Sequence, residues 1–190
     1  GEDDSIKAIL LDIDSGGGEP VASEEIANAV KATGKPTVAW VRQYAASGAY
    51  WIASAADTIV ASPNSDIGSI GITMSYLDNV VQNELDGLSF NSISSGKYKD
   101  TGSPDKTLTE DDLALFRRDV EIMHQNFVAS IAENRGLSQE AVLALADGST
   151  MLGRMALENG LIDVLGGQSE AYGALRDAIG EEPEVCWGGL

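Results

Sequence analysis

The chain has little of the chemistry that usually supports metal binding, disulfide bonding or histidine-based catalysis. Its 190 residues include a single cysteine, Cys186, and a single histidine, His124. One cysteine excludes an intrachain disulfide framework and a cysteine-based zinc site. Asp12 and Asp14 lie beside a glycine run, but two carboxylates without further ligands do not make a metal site. We therefore expect no metal and no other cofactor, and we expect His124 to be a structural residue of a long helix.

Basic residues are also scarce. Twelve Lys and Arg residues stand against 30 Asp and Glu residues, which gives a formal net charge of −18. Such a charge repels nucleic acid and anionic membranes, so neither is expected as a partner. No apolar run approaches the roughly 20 residues that a transmembrane helix needs. With 43% hydrophobic and 22% charged residues, the chain has the composition of a soluble globular protein.

Short apolar runs alternate with helical patterns in the first third of the chain. Strand, helix, strand, helix and strand at this spacing predict parallel crossovers and a layered α/β fold with a mostly parallel sheet. Ser23 is predicted to be the N-cap of the first helix. The strands are expected at residues 6–13, 37–41 and 58–61.

The second half of the chain is dominated by helical patterns. A long amphipathic helix is predicted to begin at Thr109, because apolar residues recur at three- and four-residue steps. Other elements are expected at residues 77–85 (helix), 89–93 (strand), 138–146 and 153–159 (helices) and 169–179 (helix). We predict a single domain over residues 1–180 and a flexible tail over residues 181–190.

Ser47 lies in a segment of small residues between a strand pattern and a helical pattern. That is the setting of a serine nucleophile on a tight strand-to-helix turn, although a tight helix start packed on a sheet has the same composition. Gly16, Gly17 and Gly18 form a second turn. Its N–H groups are candidate oxyanion donors together with that of Gly48, although a glycine run alone is more often a plain flexible connection.

A serine nucleophile needs a base. With His124 placed inside a helix, a lysine is the more natural partner, as in known Ser-Lys variants of the catalytic triad. Lys97 and Lys99 flank Tyr98 and are the candidates. A lysine base must be neutral at working pH, which requires burial to lower its pKa, so we expect apolar walls around the lysine that acts as the base.

Taken together and in order, these segments resemble the signal peptide peptidase A (protease IV) family of Ser-Lys serine proteases, which shares its fold with the Clp protease subunit and the crotonases. Gly16 stands where the family usually has proline. The family also normally carries further strands before the point where this chain begins, and often a membrane anchor. The matching segments are Asp14–Gly18, Tyr44–Ala53, Ala55–Ile59, Gly68–Ile72, Ser95–Asp100 and Ala156–Asp163.

The resemblance implies roles for individual residues. Ser47 would be the nucleophile and Lys99 the general base, with Lys97 the rival, and Ser69 would help to hold the lysine amine. Gly18 and Gly48 would supply the oxyanion N–H groups, with Gly17 the alternative to Gly18. The implied substrates are extended apolar peptides such as remnant signal peptides, added as a strand beside the backbone of Gly68, Ile70 and Gly71.

The resemblance also implies an assembly and a location. Relatives with one copy of the domain form rings whose active sites are shared between subunits, so we expect a homo-oligomer. The full-length protein is expected to be membrane-associated and extracytoplasmic through a segment absent from this chain. Three alternatives stay open: a phage-type capsid maturation protease of the same family, a catalytically silent peptide-binding scaffold, and an acyl-CoA enzyme of the crotonase type.

Overall fold

The fold is a mixed α/β structure built on a curled, mostly parallel sheet, as the alternating pattern predicted. It was obtained as a computed structural model that describes residues 3–186. The sheet has six strands, and five of them run in the order β5-β4-β2-β3-β6, with β1 paired to β2. All pairs are parallel except β4 with β5. The strands are β1 (Ile9–Ser15), β2 (Thr37–Ala46), β3 (Thr58–Ala61), β4 (Asp66–Gly68), β5 (Thr150–Leu152) and β6 (Val164–Leu165).

Helices connect and cover these strands. The longest one begins directly after Thr109 with three acidic residues in its first turn, where they favour the positive end of the helix dipole. Across residues 3–186, no helix is both long and apolar enough to cross a bilayer. The helices are α1 (Pro20–Lys31), α2 (Gly48–Ser54), α3 (Val80–Leu85), α4 (Glu110–Arg135), α5 (Gln139–Leu143), α6 (Gly153–Glu158) and α7 (Gln168–Ile179).

Strand β2 is the centre of the sheet and carries Ser47 at its end. Its first half pairs with β3, whereas its last three residues pair with β4. On its other side β1 follows it throughout, with a register shift between Ile13 and Ser15. The residues of β2 opposite this irregularity are held by side chains, because Asp14 accepts from the Tyr44 N–H (3.1 Å) and the Ser65 hydroxyl donates to the Arg42 carbonyl. Strand β2 therefore changes its pairing partner without leaving the Tyr44 N–H or the Arg42 carbonyl unsatisfied.

The core lies on both faces of β2 and β3. Val38 and Val60 pack against Ala171 and Leu175 of α7 on one side. Trp51 stacks on Phe127 with ring centroids 4.5 Å apart, and its indole N–H donates to Ser130. This packing fixes α2, and with it the residue that precedes the helix, against the second half of α4.

Backbone contacts divide the described chain into two compact units. The first comprises residues 3–71 and 125–186 and contains the whole sheet. The second, Ile72–His124, contains α3 and the first part of α4, and the rest of it has no regular structure. Within it the buried Asp112 carboxylate accepts from the hydroxyls of Thr101 and Thr109. Many of its apolar side chains are exposed: Met74, Tyr76, Leu77, Val81, Leu85, Leu88, Phe90, Ile93 and Tyr98.

Two sequence-based predictions were wrong. Residues 89–93 form no strand, since no neighbouring segment of the described chain pairs with them. Ser23 is not the N-cap of α1, because the helix starts three residues earlier at Pro20, a residue that favours the first helical position. In the predicted tail, Glu181 pairs with Lys7 and Val185 packs on the α7 cluster. Residues 187–190 lie outside the described part.

Candidate active site

Ser47 occupies a sharp turn between β2 and α2. Its φ and ψ angles are 53° and −127°, which is a strained conformation for a residue with a side chain. The turn is held because the Ser47 N–H donates to the Gly68 carbonyl (2.7 Å) and the Ser47 carbonyl accepts from the Trp51 N–H (3.0 Å). A strained, over-determined residue at the end of a parallel strand is typical of a functional position.

The glycine turn after β1 lies directly against Ser47. A β-carbon on Gly17 would stand 2.8 Å from the Cβ of Ser47 and 3.0 Å from the Ala46 carbonyl oxygen. Gly17 also has a φ of 120°, a region that residues with side chains rarely enter. The approach of the two turns therefore requires glycine at position 17.

The N–H groups of this turn are not equivalent. That of Gly17 donates to the Ser15 hydroxyl (3.2 Å) and is therefore occupied. Within residues 3–186, the N–H groups of Gly18 and Gly48 donate to no acceptor. The Gly18 nitrogen lies 3.2 Å from the place where a Gly48 β-carbon would be. Two free backbone donors thus lie close together beside Ser47, and Gly18 is favoured over Gly17 as the first of them.

Ser69 and its neighbours form a second strained segment. Ser69 has a φ of 50°, its N–H donates to the Ser149 carbonyl (2.9 Å), and its hydroxyl donates to the Gly148 carbonyl (3.0 Å). The hydroxyl oxygen keeps lone pairs that can accept from a lysine amine. Its predicted role in holding Lys99 stays a prediction.

The backbone predicted to receive a substrate strand is partly covered. Gly68 lies in β4, which pairs with β2 on one side and with β5 on the other. The Ile70 carbonyl accepts from the Gly148 N–H (3.2 Å). Of the three predicted binding residues, only Gly71 has neither backbone group engaged within the described residues. Strand β5 and the Gly148 turn were not predicted from the sequence, since three residues, Thr150–Leu152, carry no distinctive pattern.

The two candidate lysines belong to the second unit and have different surroundings. Lys97 forms an ion pair with Asp111 and lies 4.8 Å from the centre of the Tyr98 ring. The Asp111 carboxylate, with the Tyr98 hydroxyl, raises the pKa of Lys97 above its ordinary value, so this amine stays protonated. Lys99 is exposed, and its amine has no ion-pair partner among residues 3–186. The apolar walls expected around Lys99 are absent from the described chain.

Ser23 also borders this site, and no sequence pattern indicated that it would. Its hydroxyl oxygen lies 2.2 Å from the place where a Gly48 β-carbon would be, so the side chain fills the space beside Gly48. Ser23 is 4% exposed. A serine on the buried face of a helix is a signal for such a contact. That signal could not be used from the sequence, because Ser23 was predicted to cap the helix and not to lie within it.

Sequence comparisons give relatives over nearly the whole chain. A Methanocaldococcus jannaschii protein that is named as a protease is 36% identical to this chain over the whole length of the chain. The chain covers 62% of that protein. The chloroplastic serine protease SPPA of Arabidopsis thaliana is 33% identical over 90% of the chain, and 26% of that protein is covered. The capsid assembly protease C of Escherichia phage lambda is 27% identical over 98% of the chain and is covered over 43% of its length.

These relatives are all longer, so the chain spans less than two thirds of each of them. The match to a family, in contrast, extends over most of the chain and includes Ser47, Ser69, Lys97 and Lys99. Residues 29–180 match peptidase family S49, and the chain belongs to that family.

Proposed function

We propose that this chain is the peptidase domain of a serine protease that cleaves extended peptides through an acyl-enzyme at Ser47. The observation that carries the proposal is the strained turn at Ser47 beside the free N–H groups of Gly18 and Gly48. An acyl-transfer site needs a nucleophile and donors near the developing oxyanion, and Ser47, Gly18 and Gly48 all belong to the first compact unit. Membership of a peptidase family supports the same reaction class.

In the proposed reaction, the neutral amine of Lys99 takes the proton of the Ser47 hydroxyl while the oxygen attacks the scissile carbonyl carbon. The carbonyl oxygen becomes an oxyanion that accepts hydrogen bonds from Gly18 and Gly48. Collapse breaks the C–N bond, and the protonated lysine returns the proton to the leaving amine. Water then hydrolyses the ester and regenerates Ser47.

Lys97 is the weaker candidate for the base. Its ion pair with Asp111 favours the charged amine, and a protonated lysine cannot accept the Ser47 proton. Lys99 has no such partner, but it is exposed, whereas a lysine that acts as a base must be desolvated. We therefore propose that Lys99 becomes desolvated only when another subunit or the peptide substrate covers it.

A homo-oligomer with shared sites would provide that cover. The exposed apolar side chains of the second unit, such as Leu77, Leu85 and Ile93, support this step. Extensive apolar surface of this kind marks contact with another molecule. Association of the longer protein with a membrane, and remnant signal peptides as its substrates, are proposals that follow from the family resemblance alone.

A capsid maturation protease is the second candidate, since a phage capsid assembly protease is similar over 98% of the chain. Both candidates use the same chemistry and differ in the protein they cleave. Incubation with a signal peptide and, separately, with a capsid-type scaffold protein distinguishes them by which one yields products in mass spectrometry.

The reaction itself is tested with a fluorophosphonate probe and an apolar fluorogenic peptide. We expect adduct formation on Ser47, shown by peptide mapping, and loss of both labelling and hydrolysis in Ser47→Ala. A folded, assembled wild-type protein that neither reacts with the probe nor cleaves any peptide would contradict the protease proposal and favour the silent peptide-binding scaffold.

A further inference from the structure

Ser23 contacts Gly48 and the residue that follows Gly18, without supplying an oxyanion donor itself. Its hydroxyl oxygen fills the space at Gly48, where a β-carbon would lie 2.2 Å from it and 3.2 Å from the Ser23 Cβ. The same hydroxyl donates to the carbonyl of Glu19 (2.9 Å), which also accepts from the Ser23 N–H (3.0 Å). Glu19 directly follows Gly18 in the chain, so the Ser23 side chain contacts one donor residue, Gly48, and holds the neighbour of the other.

The helix carries this contact because of its packing. Ser23 lies on the buried face of α1 with Ala27 and Val30, and this face packs against α2. A serine in the first turn of a helix that binds the carbonyl four residues back is a recognised local arrangement. Here its oxygen also separates α1 from the first residue of α2. A smaller side chain would leave a gap beside Gly48, and a larger one would push the two turns apart.

We propose that Ser23 is a positioning residue that sets the separation and direction of the Gly18 and Gly48 N–H groups. Electrostatic stabilisation of an oxyanion requires donors about 2.7–3.1 Å from it, so small displacements reduce the rate. The effect should fall on the transition state and leave binding of the ground-state peptide unchanged. This inference rests on the proposed function, since it assigns a role within the same site.

The test is a double-mutant cycle with Ser23→Ala and Gly48→Ala. Ser23→Ala should lower kcat and the rate of fluorophosphonate labelling about tenfold with little change in KM. Gly48→Ala should lower both rates at least about a hundredfold, because its methyl group meets the Ser23 hydroxyl. In the double variant that hydroxyl is gone, and the nearest remaining atoms are 3.2 Å away. When Ser23→Ala is already present, Gly48→Ala should therefore lower kcat and the labelling rate only about tenfold. The effects of the two substitutions are then coupled by a factor of at least about ten.

Ser54→Ala is the matched control. Ser54 is also a buried serine on a helix, but it lies at the other end of α2, where its hydroxyl donates to the Trp51 carbonyl and accepts from Asn134. Its loss should lower the melting temperature and leave kcat unchanged.

The outcomes separate this inference from the proposed function. Independent effects of the two substitutions, or an equal loss of kcat in Ser54→Ala, would overturn the positioning role while the protease proposal stands. An unreactive wild type would instead refute the protease proposal. In that case denaturant unfolding of the same four proteins tests the contact, and additive free energies of unfolding would exclude it.

Discussion

Gly17 approaches Ser47 so closely that a β-carbon on Gly17 would stand 2.8 Å from the Cβ of the serine. That distance is well inside van der Waals contact, and the neighbouring obstacles are backbone atoms that cannot turn away. Gly17→Ala should therefore displace one of the two turns. We expect a loss of at least about a hundredfold in the labelling rate of Ser47. We also expect a loss of about 1–3 kcal/mol in the free energy of unfolding, because the φ of 120° strains any side chain.

Gly16→Ala is the control for this substitution. A β-carbon on Gly16 would meet no atom within 4 Å, and its φ lies outside the left-handed region. It should retain labelling within about twofold and keep or slightly raise the stability, since alanine restricts the unfolded chain. Equal losses in the two variants would show that flexibility of the turn, and not the contact with Ser47, matters.

The backbone of Ser47 predicts a conflict between stability and function. Ser47→Ala removes the hydroxyl but keeps the β-carbon at φ 53°, whereas Ser47→Gly removes both. Glycine adopts this conformation without strain, so Ser47→Gly should be more stable than Ser47→Ala by about 1 kcal/mol. Both variants should be inactive. Urea unfolding of the pair measures the difference, and a Ser47→Gly that is the less stable of the two would contradict strain at this residue.

Local patterns predicted the parts of the fold that depend on local sequence. The parallel strands β1, β2 and β3 follow from short apolar runs, and α4 and α7 follow from helical spacing. The end of β2 was missed, because Arg42 and Gln43 interrupt the apolar run where the strand changes neighbours. Its continuation to Ala46 is what brings Ser47 against Gly68, and it depends on pairing that no local pattern contains.

The candidate site also contains residues that the sequence predicted and residues that only the structure reveals. Ser47, the glycine turn and the two lysines could be named because their residue types carry chemistry. Ser23 could not be identified, because its relevance arises from distance to Gly48. The family resemblance already favoured Gly18 over Gly17 as a donor, but the physical reason, the hydrogen bond from the Gly17 N–H to the Ser15 hydroxyl, is visible only in the structure. Residue type indicates chemistry, whereas hydrogen-bond occupancy is visible only in three dimensions.

The two lysines should differ in their effect on activity. Lys99→Met should abolish hydrolysis, lowering kcat by at least about a thousandfold, because the proposed acceptor of the Ser47 proton is lost. Lys97→Met should retain activity within about threefold, since the pKa of Lys97 is raised by Asp111 and its amine stays charged throughout the working range. The rising limb of the pH profile of kcat/KM should accordingly be unchanged in Lys97→Met. If Lys97→Met instead lost the rising limb while Lys99→Met stayed active, Lys97 and not Lys99 would be the general base.

Mixing inactive variants tests whether the site is shared between subunits. Ser47→Ala subunits carry an intact Lys99, and Lys99→Met subunits carry an intact Ser47. If the serine and the lysine come from neighbouring subunits, co-assembled mixtures should regain up to about a quarter to a half of the wild-type rate, depending on the ring. Native mass spectrometry verifies that mixed oligomers form. Mixed oligomers without activity would place both groups in one subunit, and an active monomer would exclude the shared site altogether.

The start of α4 predicts a specific acid sensitivity of the second unit. Hydrogen bonds from the Thr101 hydroxyl and from the N–H and hydroxyl of Thr109 lower the pKa of Asp112 to about 2. Its pKa is lower in the folded than in the unfolded chain, so the ionised carboxylate stabilises the fold. That contribution is complete above the unfolded value near 4 and is lost as the pH falls towards 2.

Asp112→Asn should therefore lower the urea midpoint at pH 7 and flatten its decline between pH 4 and pH 2. Asp111→Asn is the control, since Asp111 is exposed and pairs with the exposed Lys97, and surface ion pairs contribute little to stability. Its midpoint should follow that of the wild type at every pH. Circular dichroism at 222 nm reports the helix content through each titration. A wild-type midpoint that declines no more steeply than that of Asp112→Asn would mean that the carboxylate at the start of α4 does not control unfolding in acid.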